Sequence, residues 1–348
     1  MPTIDADAHV IENERTWSYL TEGDIKFKPK RLLQIEGEFA RSNRGSDSKE
    51  WWMFDKNFQA ADRNINEKET ASESREMTNV GRRLEHMDEL KIDIQILYPT
   101  IFLNPCYDDP AGELALYRSY NRWLADIWKQ APARLRWAAM IPLHSMHRAR
   151  EEMIFCKEHG AVSVFLRPFE CERMVFDSYF FPLYEMAQEL DLAITFHSGN
   201  GSPHNRRFLW PHNFAIFKMS MVNCFHGLIE GGVPDRFPGV RWGIIEGGAG
   251  WIPWALSDLE KRFRRRGKRV GPEPLKSNNI FVTVELSDNI ASVIDCVGDD
   301  NLVVGTDYGH TDTSAEIEAL RLLGESGTVT KASAAKILGP NSARLYNL

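Results

Sequence analysis

The sequence predicts one α/β domain over residues 1–348, a closed (β/α)8 TIM barrel with a long insertion after its first strand. Two observations predict this fold. From about residue 80 onward, short runs rich in β-branched residues alternate with longer amphipathic stretches, which is typical of strand–helix units around a parallel sheet. Together with the opening segment, the strand-like runs are eight in number, which favours a closed barrel over an open sheet.

The stretches between the predicted strands have the length of crossover helices, as at 112–130 and 181–190. Neither G-x-G-x-x-G nor G-x-x-x-x-G-K-[ST] follows a strand, so neither a dinucleotide-binding fold nor a P-loop is predicted. The predicted strands are 3–11, 94–100, 135–143, 161–169, 192–200, 241–248, 279–286 and 302–309.

Residues 12–78 interrupt this rhythm with polar and charged sequence that also carries aromatic side chains, among them Trp17, Trp51, Trp52 and Phe58. Long insertions in compact domains are usually functional lids or disordered segments. The aromatic content favours a lid that folds over a site, and an oligomer interface is the alternative use. Residues 63–78 could instead be a mobile linker.

Composition and charge narrow the function classes. The formal net charge is −7, and both signs are spread along the chain, so no basic face is expected to bind nucleic acid or an anionic membrane. No leader pattern opens the sequence, and no run of about 18 apolar residues could span a bilayer. The five cysteines are widely spaced and without a C-x-x-C pair, which fits a reducing compartment. We therefore expect a cytoplasmic protein whose partner is a small molecule.

The strongest chemical signal lies at the ends of three predicted strands. In such a barrel the C-terminal strand ends form the active face. Asp7 and His9 alternate on the first strand and therefore point to the same side. His197 ends the fifth strand and Asp307 the eighth. Two imidazoles and two carboxylates form a mixed nitrogen and oxygen set, which suits a divalent ion such as manganese, iron or zinc.

The motifs that surround these residues resemble a known family. They are 5–9 (D-x-D-x-H), 196–199 (F-H-S-G), 231–238 (G-G-V-P-D-R-F-P), 240–251 and 305–308 (G-T-D-Y). The chain resembles the amidohydrolase-related branch of the amidohydrolase superfamily, which includes aminocarboxymuconate-semialdehyde decarboxylase and the resorcylate-type decarboxylases. The resemblance implies a barrel enzyme with a metal held by Asp7, His9, His197 and Asp307, and a homodimer.

Two departures from the family pattern affect the predicted reaction. The first ligand is Asp7, where the family commonly has H-x-H or E-x-H, and this shorter carboxylate mildly favours manganese or iron over zinc. The decarboxylases carry a catalytic histidine on strand six, and Glu246 stands at the matching position. A carboxylate beside a metal-activated water is a natural general base for hydrolysis, and Asp307 could share that role.

The sequence therefore predicts a metal-dependent hydrolase that acts on an amide, ester, thioester or activated C–C bond of a small organic acid derivative. One ion is expected, because no lysine lies in strand four to bridge a pair. Two ions remain possible if Glu246 or His226 supplies extra ligands. The alternatives are a nonoxidative decarboxylase of an aromatic or enoic acid, and a non-catalytic ligand-binding barrel.

Further residues are candidates for catalysis or substrate contact. Arg167 ends strand four and could pair with a substrate carboxylate, although a salt bridge between loops would explain it equally well. His204 and Trp210 follow strand five on the active side, where an ordinary surface loop is the alternative. His226 is a candidate catalytic residue or a satisfied buried histidine. The expected substrate is anionic and partly hydrophobic.

Overall fold

A computed structural model describes residues 1–35, 38–40, 49–55, 57–61, 64–107, 109–209 and 213–348. Eight strands form one sheet in chain order, and every neighbouring pair in it is parallel. The strands are Ile4–Val10, Ile94–Pro99, Leu135–Ala139, Ala161–Leu166, Ala193–His197, Trp242–Ile245, Ile280–Val284 and Leu302–Val304.

The sheet closes on itself between the eighth strand and the first. The N–H of Asp307 donates to the carbonyl of Asp7 at 2.9 Å, and the N–H of His9 donates to the carbonyl of Tyr308 at 3.0 Å. Ala8 and Tyr308 form a parallel bridge at the same place. These bonds close the barrel and confirm the predicted (β/α)8 fold.

Helices cover the outside of the barrel and follow the strands as predicted. The longest begins at Pro110, where Asp109 caps it by accepting the N–H of Ala111 at 2.9 Å. The main helices are Val80–Glu89, Pro110–Gln130, Met146–Glu158, Phe181–Glu189, Lys218–Glu230, Ile252–Arg265, Ile290–Val297, Ala319–Glu325, Lys331–Ile337 and Pro340–Tyr346. Shorter α-helices are Ser72–Arg75, Pro203–Leu209, Asn213–Ile216, Val233–Arg236 and Pro274–Ser277. The 3-10 helices are Thr16–Tyr19, Glu22–Phe27, Ile101–Leu103, Leu143–Ser145 and Ser178–Phe180.

The insertion after the first strand contains an antiparallel sheet of the strands Lys30–Ile35, Glu38–Ala40, Lys49–Phe54 and Asn57–Ala60. Its aromatic side chains anchor it to the barrel. The ring of Trp17 lies 6.0 Å from Trp52, 6.2 Å from Phe54 and 6.1 Å from Phe102, all in edge-to-face geometry.

The following residues, predicted as a possible linker over 63–78, are bound to the barrel where they are described. The N–H of Asn66 donates to the carbonyl of Gly309 at 2.8 Å, and the N–H of Ile11 donates to the carbonyl of Arg75 at 2.8 Å. Residue 63 lies outside the described residues.

Most predicted strands run past their true ends. The predicted sixth strand, 241–248, ends at Ile245, and the predicted eighth, 302–309, ends at Val304. Glu246 has φ of 62° and Asp307 has φ of 51°, a left-handed conformation that an extended strand does not accommodate. The chain therefore turns at these polar residues, which a hydrophobic pattern alone does not reveal.

Two further predictions concern cysteine pairing and membrane-spanning segments. All five cysteines are free. Among the described residues, no helix is both long and apolar enough to cross a bilayer.

Glu12 links the start of the insertion to the second barrel strand, and it should make stability depend on pH. Its buried carboxyl accepts the N–H groups of Thr100 at 3.1 Å and Ile101 at 3.0 Å. Burial raises its pKa from 4.5 to about 8. Because the folded state then binds the proton more tightly than the unfolded state, this contribution to stability is lost as pH rises through that window.

We expect the wild type to lose about 3 kcal/mol of unfolding free energy relative to Glu12→Gln between about pH 5 and about pH 8. Urea unfolding of both proteins at the two pH values measures this difference, in which all other titrating groups cancel. A difference that does not change with pH would contradict the prediction.

Candidate metal centre

The four predicted metal ligands come together at the C-terminal end of the barrel. Nε2 of His9 lies 3.1 Å from Nε2 of His197. Asp7 Oδ1 lies 3.2 Å from His197 Nε2 and 3.5 Å from His9 Nε2, and Asp307 Oδ1 lies 3.4 Å from His9 Nε2. All four side chains are buried. The first and fifth strands and the turn after the eighth thus bring these four candidate ligands into one small volume.

The hydrogen bonds behind the imidazoles show that this volume suits a cation. Nδ1 of His9 lies 2.9 Å from the carbonyl of Pro99. A carbonyl only accepts, so Nδ1 carries the proton and Nε2 of neutral His9 presents a lone pair. Nδ1 of His197 likewise faces the carbonyl of Ser198 at 3.2 Å. Two lone pairs that face each other cannot form a hydrogen bond, and a divalent metal ion between them satisfies both.

Carboxylates crowd the same volume. Glu246, Asp307 and Asp312 each have an oxygen within 4.8 Å of the other two. Asp307 Oδ2 and Glu246 Oε2 are buried without a hydrogen-bonding partner among the described residues, although Glu246 Oε2 lies 3.0 Å from His197 Nδ1. Buried oxygens of this kind are costly unless a cation or proton compensates them. The donor set therefore fits a divalent metal ion.

The crowding of these carboxyl groups shifts their pKa values. Burial and the neighbouring charges of Asp312 and Asp7 raise the pKa of Glu246 well above its ordinary value. Burial, Glu246 and Asp312 do the same to the pKa of Asp307. Burial also raises the pKa of Asp7, but the charges and hydrogen bonds of His197 and His9 outweigh it and lower that pKa.

Sequence reasoning missed two residues of the centre, His310 and Asp312. Nδ1 of His310 lies 2.7 Å from Asp307 Oδ1, and its Nε2 lies 3.0 Å from the hydroxyl of Thr100. His310 therefore orients the carboxylate of Asp307. The segment that follows the eighth strand, D-Y-G-H-T-D, places polar residues three and five positions after Asp307, and this spacing was the available signal.

The centre opens into a large cavity of about 1480 Å³, on whose floor Glu246, His310 and Asp312 lie. Aromatic side chains from three separate parts of the chain line its walls together with aliphatic and polar residues. These aromatic residues are Trp51, Trp52, Phe58, Phe214, Phe217, Trp251 and Trp254. The insertion after the first strand supplies Trp51, Trp52 and Phe58, so part of the cavity wall lies outside the barrel.

The structure does not bring Arg167 to this cavity. Its guanidinium forms a buried two-point ion pair with Glu170, with Nε and Nη2 each 2.7 Å from a carboxylate oxygen, and Nη1 donates to the carbonyl of Phe102 at 2.9 Å. It lines a second, smaller cavity. The surroundings of Arg167 therefore match the alternative considered from the sequence, a structural salt bridge.

The remaining candidates also lie apart from the metal cluster. Nε2 of His226 lies 3.0 Å from Asp258, and its Nδ1 lies 3.4 Å from Glu230, on the outside of the barrel. His204 is exposed on the helix Pro203–Leu209. Trp210 lies outside the described residues.

A (β/α)8 barrel with a buried nitrogen and oxygen cluster at the C-terminal ends of its strands defines a class of metal-dependent enzymes. The family model described as amidohydrolase matches residues 4–348, and the chain belongs to this family. The predicted resemblance is thereby confirmed, and the chain is a metal-dependent enzyme of the amidohydrolase superfamily. No curated protein matches the chain significantly in sequence.

Several solved structures share the fold of this chain. An amidohydrolase from Mycobacterium avium subsp. paratuberculosis K-10 is 18% identical and has a TM-score of 0.80, over 100% of this chain and 98% of that one. A dihydroxybenzoic acid decarboxylase from Polaromonas sp. JS666, solved with bound manganese and the inhibitor 2-nitroresorcinol, is 18% identical with a TM-score of 0.67, over 100% and 97%. The 5-carboxyvanillate decarboxylase from Sphingomonas paucimobilis is 18% identical with a TM-score of 0.65, over 78% and 83%.

His310 should act on metal affinity through Asp307. We expect His310→Ala to weaken Mn²⁺ binding by about 10- to 100-fold, because an oriented carboxylate becomes free to rotate. His197→Ala should abolish binding by removing a ligand. Calorimetric titration of chelator-treated protein with Mn²⁺ measures both effects. His226→Ala is the matched control and should bind as the wild type does, since His226 pairs with Asp258 outside the centre. Unchanged affinity in His310→Ala would rule out the orienting role.

Proposed function

We propose that the chain is a metal-dependent hydrolase that acts on a carbonyl-type bond, such as an amide, ester, thioester or activated C–C bond. One observation carries this proposal. Glu246 lies on the cavity floor beside the candidate metal ligands, with Oε2 3.0 Å from Nδ1 of His197, where the decarboxylases that the chain resembles carry a histidine. Hydrolysis requires a proton acceptor near the attacking water, and a carboxylate at this position can act as one.

Each residue of the metal centre has a distinct proposed role. Asp7, His9, His197 and Asp307 hold the divalent ion, which when bound supplies Lewis-acid polarisation of the substrate carbonyl. Glu246 takes a proton at Oε2 from the attacking water and returns it to the leaving group. The unpartnered Oδ2 of Asp307 is a second acceptor on the same floor. His310 keeps Oδ1 of Asp307 turned toward the ligands.

The charge of the floor favours a neutral scissile group. Asp7, Glu246, Asp307 and Asp312 can together carry more negative charge than one divalent ion neutralises, and a free carboxylate placed among them would be repelled. A carboxylate elsewhere in the substrate is better accommodated near the basic residues of the cavity. Lys218 pairs there with Glu285 and Ser314, and Arg206 donates to Asn104.

The insertion is proposed to act as a lid. Trp51, Trp52 and Phe58 line the cavity from outside the barrel, and closure over the floor would exclude water from the reacting bond. These apolar walls fit a small, partly hydrophobic organic acid derivative. A homodimer and a cytoplasmic location remain predictions.

Nonoxidative decarboxylation is the second candidate, because decarboxylases of dihydroxybenzoic acid and 5-carboxyvanillate share the fold. Product analysis separates the two candidates. The manganese-loaded enzyme is incubated with aryl esters and with the corresponding aromatic acids. Release of acid and alcohol supports the hydrolase, and release of carbon dioxide supports the decarboxylase.

The role of Glu246 can be tested directly. We expect Glu246→Gln to lower kcat by about 10²-fold or more, the usual scale for the loss of a general base, while one tightly bound ion is retained. Steady-state kinetics and elemental analysis of the same preparation measure both quantities. Glu12→Gln is the control, because Glu12 is a buried carboxyl in the same cavity but outside the metal cluster. Unchanged turnover in Glu246→Gln would exclude it as the base.

A further inference from the structure

A second cavity of about 340 Å³ lies beside the first, and Pro105 and Pro203 line both. Its volume lies in the range of small-molecule binding sites. Aromatic side chains form part of its wall, with Phe102, Tyr107 and Tyr117 among them. The cavity is therefore large enough for one aromatic ring, and its wall carries groups that pack well against such a ring.

The hydroxyl of Tyr117 is a buried polar group without a partner. Tyr117 lies on the helix Pro110–Gln130 and is only 5% exposed, and its hydroxyl forms no hydrogen bond with any described residue. The charged residues that act on this hydroxyl, Arg167, Glu113 and Glu170, line the second cavity as Tyr117 itself does. Burial raises the pKa of Tyr117 well above its ordinary value, so the hydroxyl is a neutral donor. Such a hydroxyl is costly unless a molecule in the cavity pairs with it.

The buried charged groups of the cavity wall form two ion pairs. Oε1 of Glu113 lies 3.0 Å from Nδ1 of His144, whose raised pKa keeps the imidazole protonated at neutral pH. Arg167 forms its two-point ion pair with Glu170. Each pair is neutral as a whole, so neither leaves a charge for a ligand to compensate.

The two remaining charged residues of the wall, Glu172 and Arg173, are exposed and also have partners. Glu172 accepts the N–H of His204 at 3.0 Å and the hydroxyl of Ser202. Arg173 lies 3.4 Å from a carboxylate oxygen of Asp177. A charged ligand in this cavity would therefore find no unpaired counter-ion, and a neutral one is favoured.

We propose that the second cavity is a binding site for a small neutral phenol. The ring of the phenol packs beside Phe102 and Tyr107, and its oxygen accepts a hydrogen bond from the hydroxyl of Tyr117. Three observations determine this class of ligand. The aromatic wall selects a ring, the free hydroxyl selects a molecule with a hydrogen-bonding oxygen, and the compensated charges select a neutral molecule.

The proposed site shares a wall with the cavity of the metal centre. Pro105 and Pro203 line both cavities. Glu172 holds the start of the helix Pro203–Leu209, and this helix also contributes Arg206 to the first cavity. A phenol in the second cavity thus contacts segments that shape the first. Its recognition by Tyr117 requires neither the metal ion nor the proposed hydrolysis.

Tyr120, which lies three residues further along the same helix, provides a matched control. Its hydroxyl also lacks a hydrogen-bonding partner among the described residues, but it is sealed inside the core, and Tyr120 lines neither of the two cavities. The rings of Tyr117 and Tyr120 both contact Phe102 edge to face, at 5.1 Å and 5.5 Å. The two tyrosines therefore differ in whether a ligand can reach the hydroxyl.

Equilibrium dialysis of the metal-loaded protein against phenol measures the dissociation constant. We expect Tyr117→Phe to weaken phenol binding by about tenfold, because the change removes one hydrogen bond and keeps the ring. Tyr120→Phe should bind phenol as the wild type does. Fluorobenzene, which has a ring but no hydroxyl, should bind equally to the wild type and to Tyr117→Phe, and benzoate should bind more weakly than phenol.

Equal affinity of the wild type and Tyr117→Phe for phenol would place any bound phenol elsewhere, including the first cavity, and would overturn the proposal. A wild-type protein that does not bind phenol at millimolar concentration would overturn it as well, and this measurement needs no variant. Tighter binding of benzoate than of phenol would overturn the neutral class of ligand.

Discussion

The hydrogen bonds that join the eighth strand to the first are the constraint on which the metal centre depends. They run between the backbones of Asp7 and Asp307, and of His9 and Tyr308, so the residues that close the barrel are also candidate metal ligands or neighbours of such ligands. Asp5 reinforces this seam, because its buried carboxylate accepts the N–H of Thr306 at 2.9 Å and the hydroxyl at 2.7 Å. Barrel closure and ligand geometry are thus set by one set of contacts, and a slip in the pairing would lose both.

The second constraint is the repulsion among the buried carboxylates, and it explains why the side chains of the centre have so many supporting contacts. Several carboxylates converge in a buried volume with imidazoles whose lone pairs face inward, an arrangement that is unfavourable without a cation. His310 bonds Asp307, and Pro99 bonds His9, so these side chains are held in place from behind. Binding of the ion therefore relieves the repulsion among the carboxylates that the fold brings together. Folding and metal binding are coupled for this reason.

Much of this could be predicted from the sequence, and the failures have physical causes. The eight strands, and the meeting of Asp7, His9, His197 and Asp307 at one end of the barrel, follow from local periodicity and from the rule that strand ends meet on one face. The end of the sixth strand was missed because Glu246 leaves the extended conformation, which depends on tertiary contacts. The partners of Arg167 and His226 are Glu170 and Asp258. Glu170 lies only three residues after Arg167, whereas no sequence spacing predicts that Asp258 lies beside His226.

Different parts of the chain supply the polar residues at the metal centre and the apolar residues of the cavity wall. Its polar floor comes from residues that follow the sixth and eighth barrel strands, whereas its aromatic wall comes from the insertion and from helices and helix starts outside the sheet. Surface loops tolerate changes in sequence far better than closing strands do. A change in the wall can therefore alter which molecules enter without disturbing Glu246 or the ligands.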